Sequence, residues 1–338
     1  MSKERVSLCT DSSLCTDSGE VVKAMAPIII SASRSTDIPA FYADWFLERL
    51  KAGYSVWVNP FNQARYRVSF ADTRMIVFWS KNPRPMLERL DVVEALGFKQ
   101  YYFQFTLNDY MAEGLEPNVP PVAERIDTFR RLARRIGKER VIWRFDPLLL
   151  SGSLTVDVLL EKIASIGHEL QGATEKLVFS FADIQAYRKV GNNLSGTNCR
   201  EFSSVEKMEF AKGLRDVVIS LGFEMATCAE DIDLSEYGIK HNKCVDDDLM
   251  VRLFYDDAKL MDFIGAEYDM IDGWAIKKSK KDKGQRKACG CIVSKDIGMY
   301  NTCPHLCKYC YANSSDSVVQ RNYMKHLQNL FSDSLIEQ

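Results

Sequence analysis

The segment Cys291–Tyr311, CIVSKDIGMYNTCPHLCKYCY, combines a short apolar run with three closely spaced cysteines. Cys303, Cys307 and Cys310 follow one another with the spacing C-x3-C-x2-C. Each iron of a [4Fe–4S] cluster is usually held by one Cys thiolate, so three thiols leave one iron free to bind another molecule. The spacing therefore predicts a [4Fe–4S] centre with an open iron. The alternative is a structural zinc site, because ligand spacings of two to four residues are also typical of zinc.

The residues around this loop predict a strand, a loop and a helix, with the strand in residues 291–300 and the helix at Val318–Leu330. Seven earlier runs of apolar, β-branched or aromatic residues end in polar residues and alternate with amphipathic stretches. These runs are residues 28–33, 54–59, 75–80, 101–106, 141–145, 177–181 and 223–227. Strands that alternate with helices indicate a parallel sheet. Eight such strands predict a TIM-like (β/α) barrel.

Length and composition predict one large α/β domain over residues 26–338, which includes the cysteine-rich segment 289–313. Residues 1–25 are polar and contain the hexapeptide SLCTDS twice in tandem, so we expect a flexible tail with Cys9 and Cys15 as spare thiols. A net charge of −2 favours neither nucleic acid nor an anionic membrane. The sequence has no apolar run of membrane-spanning length and no signal peptide, and its thiols suit metal binding better than disulfides, which predicts a cytoplasmic protein.

The cysteine run, with Tyr309 directly before the last Cys, resembles the signature of radical S-adenosylmethionine (SAM) enzymes. The resemblance implies that SAM binds the open iron and that reduction cleaves it to a 5′-deoxyadenosyl radical, which abstracts hydrogen from a substrate that the sequence does not identify. It also implies an electron donor such as ferredoxin or flavodoxin. In that family the strand, cluster loop and helix come first in the chain. Here they come last, so the resemblance implies a circularly permuted barrel with residues 291–300 beside residues 28–33.

Other stretches resemble the middle of spore-photoproduct-lyase-like radical SAM proteins, namely residues 79–83 and 115–147. From about residue 27 the chain is similar to a bacterial domain family of unknown function with radical-SAM-like cysteines near its C-terminus. No Gly-Gly-Glu motif for the SAM amine follows the strands. The resemblance therefore leaves open how SAM is held.

Four further cysteines, Cys228, Cys244, Cys289 and Cys291, lie where the connection between the last two predicted strands can bring them together. Four thiolates suit either a closed zinc site or a second [4Fe–4S] cluster. The alternative is a set of reduced core thiols, which pack as small hydrophobic groups. The polar surroundings of Cys244 and the Cys-Gly-Cys pair favour a metal site.

Polar residues follow the predicted strands, where an α/β barrel gathers its active site. A charge beside an apolar strand needs a partner, so we predict a catalytic role for four charged residues: Lys81, Arg144, Asp146 and Glu230. A role in cofactor binding is predicted for Arg34, Asp37, Asn59 and Asn108. Helix capping is the structural alternative, most clearly for Asp37, which precedes Ile38 and Pro39.

Two other functions remain open from the sequence. A non-catalytic binding protein would use the cysteines to hold zinc. A lyase-like nucleic-acid repair enzyme would use two basic stretches, residues 125–140 and 277–287, to contact phosphates. Such basic runs are more often solvated faces, so nucleic acid is possible as a partner but not favoured.

Overall fold

The computed structural model of the protein describes residues 10–15, 21–270, 273–278 and 280–337. The first seven strands are β1 (Thr10–Cys15), β2 (Val21–Ala26), β3 (Ile29–Ala32), β4 (Tyr54–Val58), β5 (Arg65–Ser69), β6 (Met75–Ser80) and β7 (Tyr101–Thr106). The others are β8 (Val141–Leu148), β9 (Lys176–Phe181), β10 (Glu224–Thr227), β11 (Ile239–His241), β12 (Ala266–Asp269), β13 (Gly273–Ile276) and β14 (Lys295–Asp296).

Eleven α-helices are formed by the described residues. They are α1 (Ile38–Phe41), α2 (Ala43–Ala52), α3 (Arg84–Leu87), α4 (Leu90–Ala95), α5 (Val122–Ile136), α6 (Val156–Leu170), α7 (Arg188–Asn193), α8 (Ser204–Val218), α9 (Asp247–Phe254), α10 (Ala258–Ile264) and α11 (Asp316–Gln328). None of them is long and apolar enough to span a membrane.

A parallel sheet of eight strands forms the centre of this α/β fold, in the order β11-β10-β9-β8-β7-β6-β3-β14. Its middle strands are buried along most of their length, as expected where helices or loops cover both faces. Seven of the eight predicted strands lie in this sheet. Within the described residues no ladder joins β11 to β14, so the ladders form an open series rather than a ring.

The predicted strand at residues 54–59 is not part of the parallel sheet. Instead, β4 pairs antiparallel with β5 across a tight turn, in a smaller sheet of order β1-β2-β5-β4. The turn is closed by a hydrogen bond from the Asn59 N–H to the Ala64 carbonyl (2.9 Å). A hairpin partner only a few residues away competes with the distant parallel sheet for an apolar run. The remaining place in the large sheet is taken by the three-residue strand β11.

The N-terminal residues that the structure describes are also ordered into strands. β1 pairs antiparallel with β2, and β2 joins β5 through Met25 and Val68. This differs from the expected flexible tail for residues 10–15 and 21–25, because pairing with an existing sheet satisfies backbone groups that isolated residues would leave to water. Residues 1–9, with Cys9, and residues 16–20 lie outside the described residues.

Two apolar layers cover the parallel sheet. On one face Phe103, Trp143 and Phe179 belong to a core that includes residues of α5, α6 and α8. On the other face Tyr102, Ile142 and Val178 belong to a second core, which includes residues of α9 and α10. Cys244, Cys289, Cys291 and Ile292 are part of this second core. Successive side chains of β7, β8 and β9 point to opposite faces of the sheet, so each of these strands contributes to both layers.

Strand β14 lies beside β3 and runs parallel to it. Lys295 is opposite Ile30, and Asp296 is opposite Ser31. The segment that precedes the three-cysteine loop is therefore adjacent to the first strand of the large sheet, although more than 260 residues separate them in the sequence. Residues 295 and 296 therefore lie beside residues 28–33, where the sequence analysis placed them.

Candidate functional site

The three-cysteine loop begins at the carboxyl edge of the sheet, where Asp296 fixes its position. The Asp296 carboxylate accepts hydrogen bonds from the hydroxyls of Ser31 (3.1 Å) and Ser33 (2.9 Å). It also accepts from the backbone N–H groups of Arg34 (2.7 Å) and Gly298 (2.9 Å). One carboxylate thus joins the end of β3 to the start of the loop.

Asp37 anchors the middle of the same loop. As N-cap of α1 it accepts from the Ala40 N–H (3.0 Å), and its second oxygen accepts from the Lys81 N–H (2.7 Å). That oxygen also lies 2.8 Å from Nε2 of His305. His305 is buried, and it lies between Cys303 and Cys307 in the sequence. Nδ1 of His305 lies 3.2 Å from the Asn118 carbonyl. With both ring nitrogens engaged, His305 orients the loop rather than serving as a free ligand.

Tyr309, directly before Cys310, lies in a buried polar group with Lys81, Asn108 and Glu116. Its hydroxyl donates to the Glu116 carboxylate and lies 2.9 Å from Lys81 Nζ and 3.1 Å from Asn108 Nδ2. Lys81 Nζ is 2.8 Å from Glu116 Oε1, and Arg125 Nη2 is 3.7 Å from Oε2. Burial alone would raise the pKa of Glu116, but Lys81 and Arg125 lower it below the usual range. The group therefore holds a buried carboxylate that fixes the tyrosine.

The three motif thiols are free and lie close to this polar group. Burial raises the pKa of Cys307 to about 12, although the nearby Lys81 ammonium opposes the shift. The loop carbonyls of Cys303 and Cys310 accept from the side chains of Asn313 (3.0 Å) and Asn193 (3.3 Å). Held in this way, the loop backbone leaves its sulfur atoms as the groups available to a metal.

Arg34 and Arg144 lie over the Trp79 ring, with guanidinium carbons 5.4 and 5.2 Å from its centre. Such cation–π contacts hold guanidinium groups in a fixed plane. Arg34 Nη2 and Trp79 Nε1 are buried donors with no hydrogen-bond partner. Buried donors are rarely left unpaired in proteins, so each of these two atoms calls for an acceptor.

Arg144 connects this stack to other charged and sulfur groups. Its Nη2 donates to Asp146, and its Nη1 donates to Cys244 Sγ (3.0 Å). Burial alone would lower the pKa of Arg144, but Cys244 and Asp146 raise it well above its usual range. Asp146 also accepts from the Ser180 hydroxyl, and its N–H donates to Asn108 (2.8 Å). Hydrogen bonds thus run from Tyr309 through Asn108 and Asp146 to Arg144.

The four remaining cysteines of the prediction lie together at the end of this series. Cys228 Sγ is 3.3 Å from Cys244 Sγ, and the N–H of Cys244 donates to Cys291 Sγ (3.2 Å). The thiols of Cys289 and Cys291 share a hydrogen bond, which lowers the pKa of Cys289 to about 7 although burial opposes it. The connection between β10 and β14 therefore brings all four thiols to one place, as predicted.

Two predicted site residues have other partners. Asn59 lies in the β4–β5 turn, where its side chain accepts from the Phe61 N–H (2.9 Å). Glu230 accepts from the Phe181 N–H (3.0 Å) and is 3.5 Å from Lys207 Nζ, and burial raises its pKa. Lys81, Arg144, Asp146, Arg34, Asp37 and Asn108, by contrast, are brought together around the cysteine groups.

Sequence reasoning did not select Trp79, Glu116 or Asp296 as site residues. Trp79 and Asp296 belong to runs recognised as strands, and Glu116 belongs to a stretch that resembles lyase-like proteins. The sequence did contain a signal for a site, because Trp79 and Asp296 have side chains that form hydrogen bonds and lie close to the ends of strands. Lys81 is 35 residues from Glu116 and Ser31 is 265 residues from Asp296, so sequence alone did not reveal these contacts.

Other charged features are paired within the protein. Asp246, Asp247 and Asp248 form the only set of three acidic, His or Cys ligand atoms within 4.8 Å of one another in the described part of the chain. They lie at the start of α9, with Lys243 and Lys176 as partners. In the first basic stretch Arg125 contacts Glu116, Arg130 contacts Glu169 and Arg135 contacts Asp91.

The fold and the site define an α/β protein with two cysteine groups beside one polar, partly unsatisfied site at the carboxyl edge of a parallel sheet. The chain belongs to the family described as domain of unknown function (DUF1848), whose profile matches residues 29–312. No curated protein and no solved structure matches the chain.

Proposed function

We propose that the protein is a radical SAM enzyme, with a catalytic [4Fe–4S] cluster on Cys303, Cys307 and Cys310. The observation that carries the proposal is the parallel pairing of β14 with β3, which puts the cysteine loop at the carboxyl edge of the sheet. Strand β14, the cysteine loop and α11 then correspond to the first strand, loop and helix of a radical SAM barrel. We accordingly propose that the open sheet is a circularly permuted form of that barrel.

The residues around the loop fit this group of cofactors. Three thiols with no fourth Cys in the loop leave one iron open, as SAM requires. When bound, the cluster would supply the electron that cleaves SAM. Asp37, His305 and Tyr309 hold the loop, while Lys81 contributes positive charge beside the thiols.

The unsatisfied donors support a SAM and substrate site next to the cluster. Arg34 Nη2 and Trp79 Nε1 can donate to the carboxylate or ribose oxygens of SAM. Asn108 links Tyr309 to Asp146, so the series of hydrogen-bonded residues continues from the cysteine loop toward Arg144. We assign Arg144 and Asp146 to the substrate side of the site. A small reduced carrier in the cytoplasm, such as ferredoxin or flavodoxin, would supply the electron.

The test is the metal content and spectra of protein purified without oxygen and reconstituted with iron and sulfide. Wild type is compared with a Cys303→Ala/Cys307→Ala/Cys310→Ala variant, and Cys199→Ala serves as a matched control because Cys199 is a half-exposed thiol outside both groups. We expect a reduced-cluster electron paramagnetic resonance signal that changes when SAM is added. The triple variant should lose that SAM-dependent change, and the control should keep it.

Two results would overturn the proposal. One is a colourless protein that binds zinc but no iron after reconstitution, which would indicate a zinc-stabilised binding protein. The other is an iron–sulfur signal that does not respond to SAM in wild type. Tight, salt-sensitive DNA or RNA binding by the wild type would in addition favour the lyase-like alternative.

A further inference from the structure

The second cysteine group consists of Cys228, Cys244, Cys289 and Cys291, and the proposed SAM-cleaving cluster uses none of them. Cys228 follows β10, Cys244 follows β11, and Cys289 and Cys291 precede β14. Cys244, Cys289 and Cys291 are at most 7% exposed. Four thiols from three separate chain segments meet here on the face of the sheet covered by α9 and α10.

We propose that Cys228, Cys244, Cys289 and Cys291 hold a second iron–sulfur cluster of the [4Fe–4S] type. Four thiolates supply one ligand for each iron, so this centre has no open iron and does not bind SAM. The proposal goes beyond the SAM-cleaving site and does not depend on it.

The sulfur atoms do not have the closed spacing of a single zinc site. Four thiolates around one zinc, with Zn–S bonds of about 2.3 Å, lie roughly 3.8 Å from one another. Here the contacts run in series, from Cys228 to Cys244, on to Cys291 and then to Cys289. No three Cys sulfurs among the described residues lie mutually within 4.8 Å. The thiols therefore do not form the tetrahedron of one zinc ion, and a cluster would bind with Cys228 and Cys244 moved apart from their 3.3 Å contact.

Donors that point at the sulfur atoms also fit an anionic cluster. The N–H groups of Cys244 and Val245 donate to Cys291 Sγ at 3.2 and 3.3 Å. Asn242 Nδ2 and Arg144 Nη1 donate to Cys244 Sγ at 3.2 and 3.0 Å. A cluster with four thiolate ligands carries net negative charge, and hydrogen bonds to its sulfurs stabilise the reduced state.

The two nearby cations, Arg144 and Arg34, also fit an anionic cluster. Arg144 is 2% exposed and has one carboxylate partner, Asp146. Arg34 also lies over the Trp79 ring, within electrostatic reach of Cys291, Asp296 and Cys244. Each guanidinium group thus has one carboxylate and at least one sulfur atom nearby. Cations beside sulfur atoms favour thiolates over neutral thiols, and thiolates are the form that a cluster needs.

The experiment separates the two centres by iron content. Full-length wild type, the triple Ala variant of the catalytic cysteines and a Cys228→Ala/Cys244→Ala/Cys289→Ala/Cys291→Ala variant are reconstituted with iron and sulfide without oxygen. We expect about eight irons per chain in wild type and about four in each variant. The cluster left in the triple variant should have a Mössbauer spectrum typical of [4Fe–4S] that SAM does not change.

Since the fourfold variant can fail to fold, a Cys228→Ser variant and the Cys199→Ala control are measured as well. Cys228→Ser should alter the spectrum of the SAM-insensitive cluster, whereas Cys199→Ala should leave both clusters unchanged. Four irons in wild type and none in the triple variant would overturn this proposal and leave the proposed function intact. One zinc and no iron in the triple variant would overturn it as well.

Discussion

At the scale of single residues, the site depends on buried charges that neutralise one another. Glu116 is 4% exposed and has Lys81, Arg125 and Tyr309 as partners. Removing one member of a buried ion pair usually costs more than the pair contributes, because the other charge is left without a partner in a region of low dielectric. Substitution of Glu116 is therefore expected to destabilise the surroundings of the cysteine loop.

We predict that Glu116→Gln lowers the free energy of unfolding by about 3 kcal/mol. Because the folded state lowers the pKa of Glu116 below its ordinary value of 4.5, its stabilising effect is complete above that value and lost as the pH falls through the lowered pKa. The deficit of the variant should thus be the same at pH 6 and pH 8. Urea unfolding of the metal-free protein at both pH values measures it.

Glu161→Gln is the control, since Glu161 is an exposed residue of α6, and it should change stability by less than about 0.5 kcal/mol. A Glu116→Gln variant as stable as wild type, or a deficit that grows between pH 6 and pH 8, would contradict the role assigned to this carboxylate.

At the scale of secondary-structure elements, the contact between β3 and the β14 segment is unusually close. A Cβ added to Gly298 would lie 1.9 Å from Ser33 Oγ and 2.6 Å from Ser33 Cβ. Real side chains do not approach so closely, so Gly298 lets the segment after β14 reach the end of β3.

Leu306, in the following loop, has a φ of 56°, and a non-glycine residue in this left-handed region costs about 1–2 kcal/mol.

We expect Gly298→Ala to destabilise the protein by about 2 kcal/mol or more and to reduce iron binding, because overpacking separates β14 from β3. A Ser33→Gly change in the same protein should restore part of the loss by removing two of the three atoms that clash, since Ser35 Oγ at 2.7 Å remains. Gly152→Ala is the control, since a Cβ there meets no atom within 4 Å. Thermal unfolding and iron content measure the effect, and equal melting temperatures for both variants would contradict it.

Sequence patterns predicted the parallel sheet well because its middle strands are buried on both faces and appear as continuous apolar runs. They misassigned β4, whose run Tyr54–Val58 looks like the others, because only the hairpin partner Arg65–Ser69 distinguishes it. They missed β11, which has three residues, two of them exposed. Cysteine spacing selected the three-cysteine loop, and the connection between the last two predicted strands suggested that the other four thiols meet, whereas the Glu116–Tyr309 pair depends on a contact across 193 residues.

At the scale of the whole molecule, the order of strands in space differs from their order in the chain. β14 occupies the position beside β3, and the residues after α11 return to the small sheet, where the Asp333 carbonyl accepts from the Val56 N–H (2.6 Å). Residue 333 lies on the outer edge of β4, so it is three strand spacings from β2 in that sheet, or about 14 Å. Residue 333 therefore lies within a short linker's reach of β2.

We predict that a permuted chain running from Gln285 to Glu337, then through eight Gly/Ser residues into Val21 and on to Gly284, folds and binds as much iron as wild type. A flexible linker of this length spans about 16 Å. The new ends fall in an exposed turn. Circular dichroism, melting temperature and iron content are the measurements. A two-residue linker should fail, and equal failure of the eight-residue linker would contradict the permuted arrangement.

The pairing of β14 with β3 also affects how the protein emerges from a ribosome. At about 5–20 residues per second, the chain needs roughly 13 to 50 seconds to proceed from Ile30 to Lys295. Until then β3 has β6 on one side and unpaired backbone groups on the other. An exposed edge of this kind can pair with strands of other chains. The nascent protein therefore depends on chaperones or on low local concentration until its cysteine-rich segment covers that edge.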